Sequence, residues 1–171
     1  MLAMALILAV PAAFAQTSYH VPEDYRLLAK DDYGHYSSDF IAATNYLLRT
    51  PASMDKENRA RVKKFVSEWI AGCPFVTIAI TKPVVTPFLS ESEPEPFLLY
   101  MAGWTRYALE TNDTGMVACN IAGVHAVLDY YTNRAQKMKH NNRLDLWLQK
   151  RREGTLDQYV TELLQQGRRE D

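Results

Sequence analysis

His125 and Asp129 lie one helical turn apart, a spacing that sets an imidazole and a carboxylate on the same helix face. A carboxylate beside a histidine orients the ring as a general base, or joins it as a second metal ligand. Either role needs a third group, a nucleophile or another ligand, and the neighbouring sequence offers none. The same spacing also describes a core histidine satisfied by its neighbour. His20, His35 and His140 stand in segments that periodicity does not place. This set implies no metal and no cofactor.

Cys73 and Cys119 are the only cysteines. In an oxidising compartment they can form one bridge across a long loop, worth roughly 3–4 kcal/mol. The bridge requires Cα atoms within about 7 Å. The alternative is two buried free thiols, since Cys119 sits among small helix residues and free cysteine packs well in cores.

Phosphate-binding glycine loops, dinucleotide fingerprints, Gly-x-Ser-x-Gly elbows, His-Glu-x-x-His and Cys-x-x-Cys are all absent from the sequence. The stretch Arg134–Arg152 carries seven basic residues against the single acid Asp145. It reads as a solvated helix face balanced by nearby acids, with contact to an acidic partner as the sharper alternative. Tyr19, Tyr25, Tyr33 and Tyr36 give the segment 16–36 the composition, and only the composition, of a surface that meets sugars or peptides through aromatic rings, whereas such an arm more often simply caps hydrophobic surface. Asn112-Asp113-Thr114 matches a glycosylation sequon, but both leading residues also have backbone reasons to stand in a helix–helix turn.

The elements that carry these residues are helical. Ser37-Ser38-Asp39 are good N-cap types, Phe40, Ile41, Thr44, Leu47 and Leu48 follow at helical spacing, and Pro51 stops the run. Val62, Phe65, Val66, Trp69 and Ile70 form an apolar stripe opposite Arg61, Lys63, Lys64 and Glu68, closed by Gly72 and Pro74. Residues 75–89 favour β-structure, but Pro83 and Pro87 reduce them to an extended connection or a short hairpin. Ser90 and Glu93 have capping-box spacing ahead of a helix running from Phe97 to Leu109. After Thr111–Gly115 a second helix runs from Met116 to Tyr131. Both are apolar nearly all round, which makes them central. Gly103, with Ala118, Ala122 and Ala126, permits close backbone approach between them. A helix capped by Asn142 and stopped by Gly154 comes next, followed by a last helix capped by Thr155 with Gln158. The fold class is therefore all-α, a single-domain antiparallel bundle or short array of helical hairpins. The hairpin outline recurs without any repeating residue pattern.

Met1 to Ala15 carry no charged side chain and end in Ala13-Phe14-Ala15, which predicts a signal peptide cleaved between Ala15 and Gln16. The apolar run is too short to cross a bilayer, although it lacks the usual Lys or Arg at its start. The domain reading is a signal peptide at 1–15, a polar aromatic arm at 16–36 and a helical domain at 37–171. Across 171 residues the net charge is −1 and hydrophobic residues make up 47%, which excludes low-complexity chains and argues against a nucleic-acid partner. The combined reading is an exported, secreted or periplasmic, non-enzymatic binding protein with a protein or glycan ligand, not membrane-spanning once the signal is removed. The alternative is a small extracytoplasmic enzyme or metal-dependent hydrolase using His125 and Asp129. A third reading is a structural subunit of an extracytoplasmic assembly.

Overall fold

The computed structural model describes residues 18–90, 94–133 and 138–170. The expected signal peptide and its cleavage point at Ala15–Gln16 lie outside the described residues. The fold is an all-α helical bundle, with no strand among the described residues.

Among the described residues eight α-helices follow in order: α1 (Lys30–His35), α2 (Ser37–Arg49), α3 (Lys56–Gly72), α4 (Lys82–Val85), α5 (Glu95–Thr111), α6 (Met116–Thr132), α7 (Asn142–Arg152) and α8 (Leu156–Glu170). α5 and α6 form the central hairpin. The α2–α3 pair packs mainly on α5, while α7 and α8 pack on α6, with α4 against α8. Phe40, Leu47, Val62, Phe65, Trp69, Leu99, Tyr100, Val127, Leu144 and Leu164 are among the side chains sealed in one continuous core.

Close approach of the central helices follows from residue size. A Cβ on Gly103 would stand 2.4 Å from the Ala126 Cβ, and one on Gly123 would stand 2.7 Å from the Tyr100 carbonyl oxygen. Between the two helices, Asn112 takes a left-handed conformation with φ 56°. Asp113 Oδ1 then accepts the Gly115 N–H at 2.7 Å at the head of α6. Short polar side chains that tolerate or cap such turns are what this junction requires.

Several local readings are refined or corrected. Within the polar aromatic arm lies α1, and Asp32 Oδ2 accepts the N–H groups of Leu28 and Ala29 at 2.9 and 2.8 Å. α2 is capped by Tyr36 rather than by Ser37–Asp39, because α1 runs almost directly into it; Ser37 Oγ donates back to the Tyr33 carbonyl at 3.0 Å. Residues 74–81 have no regular structure, as an extended connection would, but Val84-Val85-Thr86 is helical. Pro83 and Pro87 occupy the first turns of α4 and of the following 3-10 turn, where proline's fixed φ is preorganised and its missing N–H costs nothing. Burial of Val84 and Val85 then outweighs their β preference. α5 is preceded by Pro94 without a side-chain cap, and Glu93 of the expected capping box lies outside the described residues. α7 is capped by Asn141, one residue earlier than expected, whose Oδ1 accepts from Arg143 and Leu144 N–H.

Candidate functional site

Lys64 and Glu68, at i and i+4 on the outer face of α3, form an ion pair at 2.8 Å. The arm crosses α3 at this point. The Tyr25 hydroxyl donates to Glu68 Oε2, and the Lys64 ammonium lies 5.9 Å from the centre of the Tyr25 ring. That ring also meets Phe65 edge-to-face at 4.9 Å and Tyr36 at 6.4 Å. Burial and the bond to Glu68 raise the Tyr25 hydroxyl above its usual range, while Lys64 and then Tyr25 hold the Glu68 carboxyl below its own. The trio is thus set with Glu68 ionised and Tyr25 protonated.

Two further bonds fix the arm. Asn58 Nδ2 donates to the Tyr19 carbonyl at 2.8 Å, and the Tyr33 hydroxyl donates to the Leu27 carbonyl at 3.1 Å. The second bond depends on Gly72, since a Cβ there would stand 1.9 Å from the Tyr33 hydroxyl oxygen. The chain enters Tyr25 through Asp24, whose φ of 55° is left-handed. Aspartate tolerates that conformation better than most side chains do.

Two clefts result. One, of about 660 Å³, is lined by Leu27, Leu28, Tyr33, Glu68 and Gly72. The other, of about 430 Å³, is lined by Val21, Glu23, Asp24 and Arg61. Tyr25 and Lys64 line both. Leu28 stands 86% exposed at the larger cleft. Apolar side chains, a tyrosine and charges of both signs suit recognition of a mixed ligand. Among the described residues, neither cleft is lined by a His, Cys, Ser or Thr.

The residues singled out for chemistry lie elsewhere. His125 and Asp129 project from α6 but are paired separately: His125 Nε2 is 3.0 Å from Asp157 Oδ1 on α8, and Asp129 Oδ1 accepts from Arg151 Nη1 on α7 at 2.7 Å. Both are contacts between helices, with the His125 side chain 38% exposed. No group of three or more His, Cys, Asp or Glu among the described residues is arranged to hold a metal ion. His35 packs edge-on to Tyr36 at 4.8 Å, His140 Nε2 is 2.5 Å from Asp145 Oδ2, and His20 is exposed.

The possible Cys73–Cys119 disulfide is not formed, and the alternative of two free thiols is what the structure shows. Cys73 ends α3 and Cys119 lies in the first turns of α6; the two thiols are free and not near each other. Cys119 is fully buried, with its Sγ 3.3 Å from the Asp113 carbonyl oxygen, and burial pushes its pKa up to about 11. Burial also raises Cys73. In the basic stretch, Arg151 is engaged with Asp129 and the Lys150 ammonium lies 5.6 Å from the Tyr159 ring centre, while Arg134 and Lys137 lie outside the described residues.

Periodicity places Lys64 and Glu68 together on α3, but their meeting with Tyr25 spans 43 residues and leaves no local trace in the sequence. Arg59 was also not singled out, although its spacing from Val62, Val66 and Trp69 puts it on the buried face of α3. Compared with known proteins, the chain matches no family model, no curated protein and no solved structure, and its chemistry rests on its own residues.

Proposed function

We propose that the protein is an exported, non-enzymatic binding protein that takes a segment of another protein where its arm crosses α3. The observation that carries this reading is the cleft of about 660 Å³ with Tyr25, Lys64 and Glu68 on its wall and the exposed Leu28 at its edge. Its volume is that of an ordinary ligand site. A peptide is favoured over a glycan because the Tyr25 ring is already engaged by Phe65, Tyr36 and Lys64, so it is poorly placed to stack on a sugar. A peptide instead uses what is present: apolar side chains for its own apolar groups, and charges of both signs for its polar ones.

Export is supported by the uncharged Met1–Ala15 stretch and its Ala13-Phe14-Ala15 ending. No helix among the described residues is long and apolar enough to cross a membrane. The alternative hydrolytic role for His125 and Asp129 draws no support from their separate pairings.

Affinity capture from the extracytoplasmic fraction tests the reading, using protein whose N-terminal sequence is expected to begin at Gln16. Wild type should retain a discrete protein partner that Leu28→Asp loses, with helicity and unfolding midpoint unchanged. Equal recovery by wild type and variant would move the binding site elsewhere, and a retained Met1 would remove the export reading.

A further inference from the structure

The fold accounts for only part of the sequence in the turn between α5 and α6. Residues Thr111 to Gly115 are all exposed. Asp113 is fully used there: its N–H donates to Thr111 Oγ1 at 3.1 Å, its Oδ1 accepts the Gly115 N–H, and its Oδ2 accepts the Tyr107 hydroxyl at 3.3 Å. Asn112 contributes a left-handed backbone with φ 56°, at a position where glycine is the commoner residue. Neither its side-chain amide nor the Thr114 hydroxyl makes a hydrogen bond among the described residues. Elsewhere the asparagine side chains serve the fold: Asn45 holds Arg106, Asn58 the Tyr19 carbonyl, Asn120 the Met116 carbonyl, and Asn141 the head of α7. Asn112 and Thr114 thus stand unengaged on either side of a fixed Asp113. They are also the one Asn-x-Ser/Thr match in the chain.

We infer that Asn112 is a glycan attachment site, with its amide as the acceptor and the Thr114 hydroxyl as the group a transferase reads beside it. The donor is an oligosaccharide carried on a lipid diphosphate. Asn112 Nδ2 bonds to the anomeric carbon of the sugar as the bond from that carbon to the diphosphate oxygen breaks. The lipid diphosphate leaves with the electron pair, Nδ2 gives up one proton, and nothing is oxidised or reduced. Glu110, two residues ahead of Asn112, adds the acid that bacterial transferases of this class also select. The turn keeps its shape through the bonds of Asp113, so a bulky group on Asn112 displaces none of them. Such transfer takes place outside the cytoplasm, and the inference therefore rests on the export half of the proposed function.

The test takes the full chain from its native host and reads two things: its N-terminal sequence and the mass of the tryptic peptide spanning 107–134, which holds Asn112. In the wild type that peptide should be heavier than its bare sequence by whole sugar residues, and fragmentation should place them on Asn112. Thr114→Ala should lose the whole addition with the unfolding midpoint unchanged, since that hydroxyl holds nothing in the fold, whereas Thr114→Ser should keep it. Asn112→Gly, which suits the left-handed turn, should lose it as well. A bare peptide on chains that begin at Gln16 would overturn the attachment site and leave export standing. A bare peptide on chains that retain Met1 would overturn export and this inference with it. An addition that survives Thr114→Ala would overturn the assignment to this sequon.

Discussion

Arg59 shows how much one side chain can organise. It is 2% exposed, and its guanidinium donates to the Thr50 carbonyl at 2.9 Å, the Leu47 carbonyl at 3.0 Å and the Glu95 carboxylate. Glu95 in turn accepts from Lys63 and from the Tyr130 hydroxyl, each at 3.3 Å. The end of α2, the start of α3, the start of α5 and the end of α6 therefore converge on one charge-assisted cluster. The Tyr130 hydroxyl, buried beside Glu95, is pushed up to about 12 and stays protonated. Arg59→Met should destabilise the protein by about 3–5 kcal/mol, because it strips the half-buried Glu95 carboxylate of its main partner and removes the guanidinium bonds to the Leu47 and Thr50 carbonyls. Urea unfolding of the variant measures this, and a loss below about 1 kcal/mol, the worth of a surface pair, would show that the cluster is not structural. The sequence marks Arg59 only through its register with the apolar stripe; its charge points the other way, toward solvent.

At the scale of elements, the α5–α6 hairpin is governed by contact distance. Gly103 faces Ala126 so closely that a methyl group at position 103 forces the helix axes apart. Gly103→Ala should cost about 1–3 kcal/mol despite alanine's better helix propensity. Adding Ala126→Gly should return part of that loss, so the double variant is more stable than the sum of the two single effects predicts. Thermal or urea unfolding of the four proteins closes this cycle, and strict additivity would mean that the two positions do not touch. Gly103 on α5 and Ala126 on α6 made this contact readable from sequence alone, whereas the close approach of Gly123 to Tyr100 was not. α4 was hidden by the opposite circumstance. Val84, Val85 and the following Thr86 have β-favouring side chains, and Pro83 in the first turn together with burial of the two valines decides the conformation.

The whole molecule stands without a covalent staple. Its core is one cluster to which all the helices contribute, and its two thiols stay apart. Denatured without reductant, the protein should expose two titratable thiols per chain, and reductant should not shift its unfolding midpoint. In the native state Cys119 should react far more slowly than Cys73, being both fully buried and raised to about 11. Finding no free thiol in the unreduced, denatured chain would restore the bridge. At this scale the order of hairpins was legible because turn chemistry announces it, as at Asn112 and at Gly154 with φ 72°. The docking of the arm was not, because no periodicity links Tyr25 to Glu68.

That last separation has a consequence for the order of assembly. Bringing α6 back onto α5 closes only the short Asn112–Gly115 turn, and the entropy lost in closing a loop rises with its length. Seating Tyr25 on Glu68 closes a loop of 43 residues and gains a half-exposed polar contact together with the ring's packing on Phe65 and Tyr36. The central hairpin is therefore where folding can begin cheaply, and the arm settles once α3 is already in place. The arm is thus the last part of the protein to settle and the first to come loose under stress.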